Sequence, residues 1–363
     1  MKPVPIVVRT GRRPLCRPAL RFALLAASAW LAAAPTWAQP ASPSSASPSQ
    51  ASPASLDDGR LPVVATFNLL ADIVEQVGGD AVRVTSLVAP GADVHVFQPG
   101  PNHARQLADA RLVVTNGLGF EGWIDRLVRS SGYRGPVVVS SRGIEPLRDA
   151  QDDGEAGHGH RERSRSRQEG HGHAHDDDHG TDPHAWQSVP NMKRYVANIA
   201  DGLCGVAPAG CDGFRANAEN YLARLAGLDR DIRSMLSVIA PDSRKVITSH
   251  RAFAYYAREY EVRFLAPVGL STNAEPSAAS VGRLIRQIRR EKVGAFFVEG
   301  ISDPRLIERI RAETGGASPG TLYSDSLSAP DGPAPSYEAM MRFNTKAITA
   351  ALSAAAAVPP ARR

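Results

Sequence analysis

The chain has 363 residues, 43% of them hydrophobic and 22% charged, which is room for two domains and rules out a wholly disordered or fibrous protein. The net charge of +5 does not indicate a nucleic-acid partner. Residues 1–38 carry Lys2, Arg9, Arg12, Arg13, Arg17 and Arg21 with no acidic residue, leaving 36 basic against 37 acidic residues in the rest of the chain.

That basic segment has the parts of a secretory signal: an apolar run from Phe22 to Ala34 follows Arg21, and the small-residue pattern Thr36-Trp37-Ala38 precedes Gln39. The run is short of the roughly 20 residues that span a bilayer. Pro14-Leu15 fits a twin-arginine signal poorly, and Cys16 precedes the apolar run, so no lipid anchor is read there. The expectation is an exported, soluble protein of a bacterial periplasm. Residues 39–60, rich in Ala, Ser and Pro, read as a disordered leader.

From residue 61 to 211 an N-terminal α/β lobe is expected. Strands at Val63–Phe67, Val82–Val88, Leu112–Thr115 and Val137–Ser140 alternate with helices at Leu69–Val77, Pro101–Asp109 and Glu121–Arg129. Residues 150–182 interrupt the pattern as a mobile loop holding His158, His160, His171, His173, His175 and His179, six of the ten histidines. Cys204 and Cys211, seven positions apart in an oxidising compartment, read as a disulfide. A metal site there would need more ligands than two cysteines supply, and no histidine sits beside them.

Phe214, Ala218, Tyr221, Leu225, Leu228, Ile232 and Met235 then form one apolar stripe, predicting a rigid linker helix over 212–239. A C-terminal lobe over 240–363 repeats the first pattern. Its strands are Lys245–Thr248, Val262–Ala266, Ala295–Val298 and Thr321–Ser324; its helices are Phe253–Tyr260, Ala278–Lys292, Pro304–Thr314 and Ser336–Ala354. The fold class is α/β: two lobes, each a mostly parallel four-stranded sheet flanked by helices, joined by one long helix.

Outside the loop, the histidines are His95, His103, His184 and His250. His95 and His250 come after strands and His184 just before a helix. Ligand sites in open α/β sheets gather at the carboxyl ends of strands. His95, His184 and His250 are therefore candidates for one metal site, with Asp325 after the last strand as a fourth ligand. Three imidazoles and a carboxylate suit zinc, and four protein ligands leave no open position for an activated water. The set points to binding rather than catalysis, and to affinity that weakens as pH falls toward 6.

The chain resembles the zinc and manganese receptors of bacterial ABC importers from about Val63 to Leu352. The resemblance rests on Pro90-Gly91-Ala92-Asp93-Val94-His95, on Asn116-Gly117-Leu118-Gly119-Phe120-Glu121-Gly122-Trp123 and on Asp182-Pro183-His184-Ala185-Trp186. It continues through Thr248-Ser249-His250-Arg251-Ala252-Phe253 and Leu322-Tyr323-Ser324-Asp325-Ser326-Leu327. It implies the same four ligands, two lobes on a rigid helix, and as partners an ABC permease with its ATPase. It also implies zinc, because zinc receptors have His where manganese receptors tend to have Glu, at His250. Many relatives have Pro at the place of Val94 and acidic residues near Gln98 and His103, so His103 inherits no ligand role and reads as a helix-surface residue. The histidine-rich loop is expected to collect zinc weakly, to dock a periplasmic metallochaperone or to sense high zinc, and the protein to be a monomer.

Two further patterns are set aside. Gly117-Leu118-Gly119-Phe120-Glu121-Gly122 matches a dinucleotide fingerprint but lies in the third strand–helix unit, where its glycines suit a tight turn. A zinc-dependent enzyme, with Glu299 as general base, is the alternative from another class; zinc-protease, nucleophile-elbow and Walker A motifs are all missing.

Overall fold

A computed structural model describes residues 59–148 and 180–357. The signal reading, the leader up to residue 58 and the histidine-rich loop up to residue 179, with His158, His160, His171, His173, His175 and His179, lie outside the described residues. Two four-stranded parallel sheets form the frame. The first contains β1 (Leu61–Phe67), β2 (Val82–Val88), β3 (Leu112–Thr115) and β4 (Val137–Val139) in the order β2-β1-β3-β4. The second contains β5 (Lys245–Ile247), β6 (Arg263–Leu265), β7 (Ala295–Glu299) and β8 (Gly320–Leu322) in the order β6-β5-β7-β8. Both have the same topology, and every neighbouring pair is parallel. Central strands of such sheets are covered on both faces, which is why β3, Leu-Val-Val-Thr, is buried throughout.

Helices α1 (Asn68–Gly78), α2 (Pro101–Ala108), α3 (Ile124–Ser131) and α4 (Val189–Val206) belong to the first half. Helices α6 (Ala254–Tyr260), α7 (Ala278–Glu291), α8 (Arg305–Thr314) and α9 (Tyr337–Ala357) belong to the second. Between them runs α5 (Cys211–Leu236). Its inward stripe is Phe214, Ala218, Tyr221, Leu225, Leu228, Ile232 and Leu236. The stripe turns to Leu236 rather than the expected Met235, which is half-buried, because 3.6 residues per turn carries the buried face round by one position over six turns. Helix α5 packs against α4, α1 and α9, and α9 packs on β7 and β8 as well. One continuous core therefore runs from Val63 to Leu352 and includes residues of both sheets. A separate, smaller cluster around Ile285, Ile288, Phe296 and Ile310 lies under α7 and α8. Among the described residues no helix is long and apolar enough to cross a membrane.

Cys204 and Cys211 are joined in a disulfide that ties the last turn of α4 to the first residue of α5. The glycine-rich segment after β3 is a tight turn in which Gly117, Leu118 and Gly119 all have positive φ (85°, 55° and 75°). A side chain at Gly117 would also run into Val139.

Candidate metal centre

His95, His184, His250 and Asp325 come together, and each offers a ligand atom within 4.8 Å of the others. His95 lies in the irregular connection after β2, His250 just beyond β5 and Asp325 just beyond β8. His184 follows a segment tied to the end of the first sheet's lobe: Asp182 N–H donates to Leu147 O (2.8 Å), and Arg148 pairs with Thr181. Nε2 of His95 is 3.3 Å from Asp325 Oδ2, and Nε2 of His250 is 3.2 Å from the same oxygen. Nε2 of His184 is 3.5 Å from Asp325 Oδ1 and 3.4 Å from Nε2 of His250. A tetrahedron with vertices 2.0–2.1 Å from its centre has edges of about 3.4 Å, which the contacts of His95 and His250 to Asp325 Oδ2 and of His184 to His250 match, while His184 meets the other carboxylate oxygen.

The chemistry of the cluster agrees with its geometry. His184, His250 and Asp325 are at most 1% exposed. His95 Nε2 and both Asp325 oxygens are buried and take part in no hydrogen bond. Burying a carboxylate without hydrogen bonds is unfavourable unless positive charge faces it.

A carboxylate stands behind each histidine. Asp93 Oδ1 accepts the backbone N–H of His95 (2.9 Å), Asp182 Oδ1 that of His184 (2.9 Å), and Glu299 Oε1 that of His250 (2.9 Å). For two of them the same carboxylate also holds the ring. Nδ1 of His184 lies 2.8 Å from Asp182 Oδ1, and Nδ1 of His250 lies 2.5 Å from Glu299 Oε2. Such partners fix the ring and turn Nε2 toward the ion. Glu299 thus meets His250 twice, Oε1 accepting its backbone N–H and Oε2 lying against its ring.

Burial opposes the charged form of His184, but Asp325 and then Asp182 outweigh it and raise its pKa to about 9. For His250 burial is likewise outweighed, by Glu299 and Asp325, and its pKa rises well above the ordinary imidazole value. Burial would raise Asp325, yet His250 and His184 hold it well below the usual carboxylate range. The site is a concentration of negative charge that collects positive charge. Both raised values favour a proton on these rings, so protons would compete with a cation there.

A first-lobe shell holds these groups in place. Asn116 donates through Nδ2 to Pro183 O (2.9 Å), beside His184. Trp123 Nε1 donates to Val94 O (3.0 Å), beside His95. Glu121 is fully buried and closes the glycine turn by accepting Thr66 Oγ1 (2.5 Å), Asn116 N–H (2.6 Å) and Gly117 N–H (3.2 Å). Phe120 stands edge-on to His95 and His184, with ring centroids 4.9 and 5.8 Å away. His103 is no part of this cluster: its Nδ1 accepts Gly100 N–H (2.8 Å) and caps α2, a more specific task than the plain surface position expected of it. Gln98 is exposed.

Residues 63–351 match the family model described as zinc-uptake complex component A, periplasmic. The chain belongs to that family. Its members are metal-binding receptors of ABC importers rather than enzymes, working outside the cytoplasm, and the two-lobe fold described above is the family's. The iron-binding protein YfeA of Yersinia pestis is 30% identical over 293 residues, covering 80% of this chain and 85% of its own. The manganese-binding lipoprotein MntA of Bacillus subtilis is 29% identical over 300 residues, covering 81% and 90%. Among solved structures, a manganese-bound mutant periplasmic metal-binding protein of Candidatus Liberibacter asiaticus superposes with a TM-score of 0.68 at 26% identity, over 81% of this chain and 100% of that one. The periplasmic zinc-binding protein TroA of Treponema pallidum shares the fold, with a TM-score of 0.69 at 24% identity over 81% and 99%.

Proposed function

We propose that this protein is a periplasmic receptor that captures Zn²⁺ and delivers it to an ABC import permease driven by its ATPase. Its ligands would be His95, His184, His250 and Asp325. The observation that carries the reading is the cluster itself, three imidazole nitrogens and one carboxylate spaced 3.2–3.5 Å apart in the four separations described above. Three nitrogen donors favour zinc over manganese in the Irving–Williams order. A closed four-ligand set leaves no place for an activated water, which supports a carrier over an enzyme.

Relatives named for iron, manganese and zinc make a manganese or iron cargo the second reading. We further propose that the exported protein carries no lipid anchor, although MntA is a lipoprotein, and that it acts as a monomer. The histidine-rich segment 150–182 would serve metal capture or a metallochaperone; unchanged zinc loading and uptake after deleting residues 150–180 would refute that role.

The deciding experiment is the metal content of protein purified from a periplasm, followed by competition of zinc against manganese and iron. One tightly held zinc, lost in His250→Ala, kept in Gln98→Ala and not displaced by excess manganese, is the expected result. Preferential retention of manganese or iron would overturn the choice of metal. Asp325→Asn separates the classes: a receptor loses affinity, whereas a zinc enzyme would keep its metal and lose turnover.

A further inference from the structure

An ion cannot enter or leave this centre without movement, because three of its ligands are at most 1% exposed. The contacts across the two lobes show which side can give way. Behind the site the seam is buried and heavily bonded. Asn68 Oδ1 accepts Leu327 N–H (3.2 Å), Asp72 Oδ2 accepts Tyr337 N–H (2.8 Å), and Trp186 Nε1 and Gln187 Nε2 both donate to Ser324 O (2.9 Å).

The other side is held by far less. There the connection between β6 and α7, residues 266–277, has no regular structure. It reaches the first lobe through Thr272 Oγ1, which donates to Asp93 Oδ2 (2.6 Å), and through Asn273 Nδ2, 3.4 Å from His95 O. Against it lies a cavity of about 790 Å³ whose wall includes Asp93, Ser249 and His250 as well as Thr272 and Glu275.

We infer that the cation passes through this cavity, and that Thr272 is the positioning residue whose bond to Asp93 keeps His95 in place and the passage shut. The inference rests on the receptor reading above. Asp93 is the link, since one of its oxygens takes the Thr272 hydroxyl while the other holds the backbone of His95. His95 is also the ligand with most freedom. Its side chain is the least buried of the four, and among the described residues no carboxylate lies against its Nδ1. Losing the Thr272 bond therefore loosens one ligand and leaves His184, His250 and Asp325 anchored.

The test is stopped-flow release of Zn²⁺ from the mature chain into excess chelator, with the association rate measured alongside. Thr272→Val should speed release about ten- to a hundredfold, the loss expected for a hydrogen bond to a charged acceptor. Thr272→Ser, which keeps the hydroxyl, should release zinc at the original rate. Asp72→Asn, on the opposite seam, should do the same. Ala278→Trp, narrowing the cavity from α7, should slow both entry and release. A Thr272→Val rate within twofold of the original, a serine variant as fast as the valine one, or equal acceleration by Asp72→Asn would overturn the inference. Failure of the unsubstituted protein to retain zinc, manganese or iron would instead overturn the receptor reading, and is seen before any variant is compared.

Discussion

A histidine holds a metal well only when its second nitrogen and its backbone are themselves held; here carboxylates hold all three backbones and, at His184 and His250, the ring as well. Glu299→Gln keeps the size and one acceptor but removes the charge facing His250 Nδ1. Zinc affinity should fall about 10- to 100-fold, read by competition titration, with the circular dichroism spectrum unchanged. Part of this arrangement was legible in the sequence. Asp93-Val94-His95 and Asp182-Pro183-His184 place an acid two positions before a ligand, the reach that lets its oxygen accept the ligand's own N–H. Glu299 could not be found that way, because it comes from the neighbouring strand, 49 positions along the chain from His250. Asp72 makes a second residue-scale case. Burial raises its pKa to about 6, although Tyr337 N–H and Gln76 donate to it and lower it. Between the unfolded value of 3.8 and about 6, the folded state thus binds a proton that the unfolded state does not. The contribution of Asp72 to stability is greatest below pH 4, declines as pH rises to 6 and is flat above, a span of about 3 kcal/mol. Asp72→Asn retains an oxygen for Tyr337 N–H and carries no charge. The difference between the unfolding free energies of the two proteins should move in the variant's favour from pH 4 to 6, and a pH-independent difference would refute this account.

Elements were more readable than their ends. β3 and β2 occur at the predicted residues: β3 is an apolar, β-branched run between Arg111 and Asn116, and β2 is rich in valine and threonine and ends before Ala89-Pro90. α3 begins at Ile124 rather than Glu121, since Glu121 is turned inward to hold the glycine turn instead of starting a helix. Helix α4 drew no predicted boundaries, although Ser188 accepts Asn191 N–H at its start and Pro190 stands in its first turn, a capping signal present in the sequence. At the junction of α4 and α5 the disulfide spans only seven positions, and α5 also has a buried face of its own. Chain entropy assigns such a short loop roughly 2–3 kcal/mol. Replacing Cys204 and Cys211 together by Ser should lower the unfolding free energy in denaturant by about that amount. Zinc affinity should not change, because no ligand lies on α4 or α5.

At the scale of the whole molecule, the four candidate ligands come from loops 66 to 89 positions apart in sequence, and their assembly depends on the core that α5 and α9 share with both sheets. The cluster under α7 and α8 is separate, with nine buried residues and no member in the first sheet. Sequence periodicity could not reveal this division, since the stripe of α7 resembles any other amphipathic helix and its partner is fixed only by topology. The division predicts two levels of stability, because contiguous packed units open independently. Amides of α7 and α8 should exchange with solvent by a local opening, faster than those of α1 and α5, which exchange only on global unfolding. A cation held only by the folded centre, zinc in our proposal, raises the free energy of global unfolding by about 2.7 kcal/mol at a hundred times its dissociation constant. Protection of α1 and α5 should increase by that amount on adding zinc. Protection of α7 and α8 should increase by much less, because their opening can leave the centre intact. Equal gains in all four helices, measured by hydrogen exchange with and without zinc, would show that the satellite cluster and the main core unfold as one unit.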